Sequence, residues 1–221
     1  MEQNEKKVTS CLMLAANLET PVSLATVFDA EDLKDTGIEF DSHITILYAR
    51  NKYLEKRELL KNVISLCETQ SKPNLFDRLK DDSDAEEFSV PVFDLFELGS
   101  FENDSGYVVL KLKKEGDLFE KLEILNKGLM KIYGITSDFP SYTPHLTLAE
   151  LEPGRTEKYM NSETLQLILK GSMVHLEDFI VSYDKEGEDG FDVHNLTTHC
   201  AVERFFRIRE LKRDYEELQR M

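Results

Sequence analysis

Apolar positions along this chain change their spacing from segment to segment, and the spacing separates strands from helices. Cys11 to Leu18 is a nearly continuous apolar run between polar flanks, the pattern of a buried strand, and Leu24 to Phe28 reads as a second. Asp29 to Leu33 reads as the opening of a short helix, with Asp29 as N-cap and Gly37 as its stop. Between Tyr53 and Thr69, the residues Leu60, Val63, Ile64 and Cys67 recur at the three- and four-residue intervals of an amphipathic helix. A second such helix is expected from Asp117 to Tyr133, carried by Leu118, Leu122, Leu125, Leu129 and Ile132, with Gly134 just past its end. Further strands are expected at Phe88 to Phe101 and at Gly106 to Leu112, with the polar turn Glu102-Asn103-Asp104-Ser105 between them. A third helix spans about Glu157 to Leu169, ended by Gly171. Met173 to Tyr183 and Phe191 to Cys200 read as the arms of a hairpin. Residues 203–221 read as a terminal amphipathic helix that packs on its own lobe, because a coiled-coil seam wants more heptads.

Two strand-like stretches stand apart because they repeat. Ser42-His43-Ile44-Thr45-Ile46 and Thr143-Pro144-His145-Leu146-Thr147-Leu148 each alternate a histidine and a threonine with aliphatic residues. Successive side chains on a strand point to opposite faces, so each copy anchors two aliphatic residues in a core and presents an imidazole beside a hydroxyl on the other side. The histidines lie 102 residues apart, and similar elements surround them. That self-similarity suggests two pseudo-repeats, at about 11–100 and 101–202, within a single bilobal domain over 1–221. Two such lobes closing on a pseudo-twofold axis bring both His/Thr faces to one cleft.

Composition narrows the setting. With 41% hydrophobic and 32% charged residues, the chain has the balance of a soluble globular protein. Cys11, Cys67 and Cys200 are odd in number, far apart and without a CxxC pair, which argues against a disulfide framework or zinc site and for a cytoplasmic setting. No stretch is apolar for the roughly 20 residues that span a bilayer, so no membrane partner is expected. A net charge of −16, from 27 basic and 43 acidic residues, speaks against a protein that tracks duplex DNA, whose grip rests on neutralising many phosphates. One small anionic ligand in a cleft remains compatible with it. The acidic stretch from Ser71 to Phe88 reads as a long solvated connection and lacks the glycine and spacing of a calcium loop.

A single His-x-Thr is weak: with 5 histidines and 13 threonines in 221 residues, roughly 0.3 matches arise by chance. Two copies in strand-like runs are far rarer. His175, His194 and His199 lack the spacing and are assigned no catalytic role. Two histidines facing one phosphate can divide phosphodiester cleavage, one as neutral base and the other as imidazolium acid. Threonine hydroxyls then donate to the non-bridging oxygens, with no metal or cofactor required. Use as metal ligands wants a third ligand and leaves the threonines unexplained.

The paired motifs, above all Tyr142-x-Pro144-His145-Leu146-Thr147-Leu148-Ala149 preceded by a GYVVLKL strand and an amphipathic helix, resemble the two-histidine (2H) phosphoesterase superfamily, which includes the 2′-5′ RNA ligases and cyclic phosphodiesterases. The resemblance implies an α+β fold of two pseudo-symmetric β-sheet lobes, with outer helices, around a central groove. It implies His43 and His145 as the acid/base pair, Thr45 and Thr147 as phosphate-binding groups, and a small nucleotide or oligonucleotide substrate that is cyclic or 2′-linked. The stretch DLKDTGIEFDSHITILYA also resembles bacteriophage-encoded members, some of which degrade cyclic oligonucleotide signals of bacterial immunity, which would place the protein in a host cytoplasm. A nucleotide-binding protein that sequesters its ligand uncleaved, and an RNA ligase, are the competing readings. Around the motifs, Tyr48, Tyr142, Phe40 and Phe139 are candidates to stack on a base, and Arg50, Lys52 and Arg155 to meet a second phosphate, with Tyr48, Tyr142 and Arg155 preferred.

Overall fold

The computed structural model describes residues 8–19, 21–40, 42–68, 88–137, 139, 141–185 and 191–196. Both the acidic 71–87 stretch and the terminal 203–221 segment lie outside the described residues. In chain order the elements are β1 (Val8–Leu18), α1 (Pro21–Ala25), β2 (Leu33–Ile38), β3 (His43–Ala49) and α2 (Lys56–Glu68), followed by β4 (Phe88–Pro91), α3 (Val92–Leu95), β5 (Phe96–Glu102) and β6 (Gly106–Leu112). After them come α4 (Asp117–Tyr133), β7 (His145–Leu151), α5 (Thr156–Met160), α6 (Glu163–Lys170), β8 (Met173–Lys185) and β9 (Phe191–Asn195). The fold is α+β.

Two antiparallel sheets carry it. One runs β3-β1-β8-β4, with β9 also paired to β8; the other runs β2-β7-β6-β5. Each sheet draws strands from both halves of the chain: β8 and β9 complete the sheet that β1 begins, while β2 pairs along β7. The two motif strands thus lie in different sheets, and β3 packs against β7 where the sheets meet.

Helix α4 lies against β3 and α2 and closes the core with Leu118, Leu122, Leu125 and Leu129 of the apolar stripe expected from spacing, while its last member, Ile132, is exposed. Gly134 ends it at φ 61° and ψ 40°, the left-handed conformation that glycine adopts without steric cost. Ile135 N then donates to Met130 O at 2.9 Å, closing the helix end. Helix α2 buries Leu59, Leu60, Val63 and Ile64, and the Glu55 carboxylate accepts from Glu58 N at 2.8 Å at its start.

Four elements differ from the sequence expectation. Leu24 to Phe28 is not a strand: Pro21 opens a helical turn, and Leu24 and Phe28, four residues apart, are both buried. The expected helix after Asp29 is absent because Asp32 is captured by α5, and residues from Leu33 onward pair with β7. The expected strand over Phe88 to Phe101 is interrupted by α3, since Pro91 offers no N–H to continue a ladder and Val92 N turns to Ser172 O at 3.0 Å. The third helix is two helices, split at Asn161-Ser162, where the Ser162 hydroxyl accepts from Leu165 N at 3.2 Å and starts α6 afresh.

Candidate active site

The motif strands repeat in three dimensions down to an irregularity that single-residue reading does not show. Along β3, His43, Ile44 and Thr45 pair with Ala15, Leu14 and Met13, after which the register slips by one residue and Leu47 pairs with Leu12. Along β7, His145, Leu146 and Thr147 pair with Lys111, Leu110 and Val109, after which Ala149 pairs with Val108. Ile46 and Leu148 are the extra residues, each three positions beyond its histidine. Such a bulge sharpens the local twist and re-aims the side chains beyond it. Both bulged carbonyls are satisfied: Ile46 O accepts from Asn126 Nδ2 at 2.8 Å, and Leu148 O from Glu39 N at 3.0 Å.

The alternation fixes the faces. Ile44, Ile46, Leu146 and Leu148 are wholly buried, whereas His43, Thr45, His145 and Thr147 are half-buried on the opposite faces. Charge on His43 reaches His145 and disfavours a proton there. His145 is pushed below the ordinary imidazole range, first by burial and then by the nearby charges of His43 and Lys111, against the opposing pull of its bond to the Thr143 carbonyl. That bond is 2.7 Å from Nδ1 to Thr143 O. A carbonyl only accepts, so Nδ1 carries the hydrogen, and Nε2 of the neutral ring is left as the acceptor. The Phe101 ring meets the imidazole edge-on at 4.9 Å between centroids.

On the other half, the Thr45 hydroxyl hydrogen-bonds the Cys11 thiol, which burial pushes up to about 11. A thiol that stays protonated at neutral pH can return its own proton to Thr45 Oγ1. Thr45 is thereby able to turn its hydroxyl hydrogen to an anion without losing its partner. Thr45 O accepts from the Tyr142 hydroxyl at 3.0 Å, which links the second motif's approach to the first motif's strand.

The preferred flanking residues fare differently. Tyr48 comes after the bulge on the same face as His43 and Thr45, opposite Cys11, and is 55% exposed, as a stacking surface must be. Tyr142 packs its partly buried ring on the core, burial pushes its phenol far up, and its hydroxyl donates to Thr45 O, so it braces the site. Arg155 is placed away from the motif histidines. It lies past the far end of β7, an end itself about 20 Å from His145 at the usual rise per strand residue, and its Nε lies 3.5 Å from Asp32 Oδ1. Asp32 is 2% exposed and gathers Lys158 Nζ at 2.6 Å and the Tyr159 hydroxyl at 2.7 Å, so Arg155 belongs to a structural charge cluster. Of the lesser candidates, Lys52 donates to Tyr133 O, Arg50 is a surface residue, and Phe40 and Phe139 are exposed.

Spacing missed Cys11, Lys111, Phe101 and Asn126. Each reaches the site through strand pairing or helix packing, and none keeps a recognisable interval from a motif histidine. Among the described residues, no three His, Cys, Asp or Glu side chains gather as a metal-ligand group. No helix among them is long and apolar enough to cross a membrane.

No protein-family model matches the chain, and no curated protein matches it in sequence. Among solved structures it is similar to one described as a phosphoesterase, with a TM-score of 0.48 and 14% identity over 84% of this chain and 95% of that one. It is similar to E. coli LigT complexed with 3′-AMP, with a TM-score of 0.46 and 14% identity over 85% and 95% of the two chains. The corresponding figures for Kluyveromyces marxianus Usb1 are 0.45, 9%, 86% and 98%.

Proposed function

We propose that this protein is a metal-independent phosphodiesterase of the two-histidine class, acting on small cyclic or 2′-linked nucleotides or oligonucleotides. The observation that carries the reading is the doubled strand: the same His-x-Thr face, the same one-residue bulge after it, and two imidazoles close enough to feel each other's charge. A phosphodiester between them meets a base, an acid and two hydroxyl donors.

The roles of the histidines are not interchangeable. His145 is held neutral by burial, with Nε2 as acceptor, so it takes the proton of the attacking water. His43, as imidazolium, gives its proton to the departing oxygen as the phosphorus–oxygen bond breaks. Thr45 and Thr147 donate to the non-bridging oxygens, which gain charge as the transition state forms. The histidines exchange protons with solvent to complete the cycle.

The likeness of residues 32–49 to bacteriophage-encoded members extends the proposal to cyclic oligonucleotides of bacterial immune signalling, encountered in a host cytoplasm. The test is chromatography of products after incubation with cyclic mono-, di- and trinucleotides and with RNA ending in a 2′,3′-cyclic phosphate, with and without EDTA. Ring opening or cleavage that survives EDTA is expected. Tight binding with every ligand recovered intact would replace the enzyme by a sequestering protein, and a strict divalent-metal requirement would overturn the mechanism.

A further inference from the structure

The two half-sites match in register, so their neighbours can be compared position by position, and beside the histidines they differ in charge. The cross-strand partner of His43 is Ala15; that of His145 is Lys111. In a chain of net charge −16, a lysine on the groove face would be expected to find a carboxylate. Glu97 stands directly opposite it on β5, yet among the described residues no carboxylate forms an ion pair with Lys111. Its side chain instead crosses Gly99, where a Cβ would lie 2.7 Å from Lys111 Cδ and Cε. Nζ donates to Ser100 O at 3.0 Å and rests 4.5 Å from the centroid of the Phe101 ring, the same ring whose edge meets His145. An ammonium held by one carbonyl and an aromatic face has donors to spare.

We propose that Lys111, seated by Gly99 on Phe101, is a subsite for a second phosphate, on the His145 side of the scissile one. The substrate class is then an oligonucleotide, linear or cyclic, with at least two phosphates. This rests on the two-histidine reading for the position of the reacting phosphate. The opposite half-site presents Ala15, Met13 and Cys11, uncharged at neutral pH, and offers no equivalent. A single cation beside one histidine thus sets the direction in which a longer ligand lies. Gly99 is part of the device because any side chain there would lift the lysine from its seat.

The test compares an adenosine dinucleotide ending in a 2′,3′-cyclic phosphate with the same molecule carrying a neutral methylphosphonate at its internal linkage. Wild-type protein should prefer the charged dinucleotide by about tenfold or more in kcat/KM, the scale of one charged hydrogen bond. Lys111→Met should erase that preference, over and above any change common to both substrates that follows from removing a charge beside His145. Lys111→Arg should restore part of it, and Gly99→Ala should weaken it without removing any charge. A preference for the charged dinucleotide that survives Lys111→Met, whatever the loss common to both substrates, would overturn the subsite. Titration calorimetry of the same ligands on a His43→Ala/His145→Ala variant separates the two claims. If the wild type cleaves neither ligand but the charge preference in Kd on this variant depends on Lys111, the subsite stands and the two-histidine mechanism fails. If both ligands are cleaved with no Lys111-dependent preference, the mechanism stands and the subsite fails.

Discussion

Removing one oxygen from Tyr142 tests how the site is braced. Tyr142→Phe keeps the ring on the core and deletes only the hydroxyl that donates to Thr45 O at 3.0 Å. An ordinary hydrogen bond contributes about 0.5–1.5 kcal/mol net, and a buried carbonyl left without its donor costs about 1–3 kcal/mol. The phenol is strongly desolvated, which places the expected loss in the upper part of that span. For a chain of this size each kcal/mol lowers Tm by about 2–4 °C, so a drop of several degrees is expected in thermal unfolding. The activity should fall further than stability alone accounts for. Thr45 bears one of the two phosphate-binding hydroxyls, and a displacement of about 1 Å in a catalytic group can cost about a hundredfold in rate. Urea unfolding followed by fluorescence, alongside kcat and KM on a cleavable cyclic-ended RNA, reads both effects. A base-stacking tyrosine would behave differently, because phenylalanine stacks as well as tyrosine. Wild-type stability with wild-type turnover in Tyr142→Phe would therefore refute the bracing role.

Other outcomes rest on the same geometry. His43→Ala and His145→Ala should each reduce kcat by about 10²- to 10⁴-fold with little change in Tm; substantial turnover in both would sink the two-histidine mechanism. Thr147→Val should reduce kcat/KM by about tenfold to a hundredfold, the cost of one hydrogen bond to a charged group, and an unchanged value would remove it from the phosphate site. The acid limb of kcat/KM against pH reports the neutral base, so with His145 lowered from 6.5 the enzyme should keep its activity below that pH, and a limb well above it would contradict the assignment. Asp32 is held below the usual carboxylate range, first by the hydrogen bond from Lys158 and then by that from Tyr159. Its folded pKa being depressed, the stability it lends is present above the unfolded carboxylate value and is lost as pH falls through the folded one. Wild type should thus lose its Tm advantage over Asp32→Asn in strong acid; a gap that does not narrow there argues against an ionised Asp32.

Local periodicity was enough for part of this protein. The helices α2 and α4, the glycine that ends α4, and the faces presented by His43, Thr45, His145 and Thr147 are all legible because they depend on neighbours a few residues away. The interruption at Val92 to Leu95 and the helical turn at Pro21 were not legible. They depend on partners such as Ser172, or on a proline whose effect changes with its surroundings.

Proximity between distant side chains was decided by pairing. Register brought Lys111 beside His145 and put Cys11 within reach of Thr45, and a helix 80 residues on supplied Asn126 to the bulge at Ile46. Tyr142 and Arg155 flank the same motif in sequence, yet one braces the site and the other leaves it. The strand between them carries the chain from the groove to its far end, where Asp32 waits. What the sequence by itself determined was which residues face which way on each strand. Which strands meet, and so which faces share a groove, only the tertiary structure decided, because hydrogen-bonded pairing between strands far apart in the chain leaves no periodic trace along it.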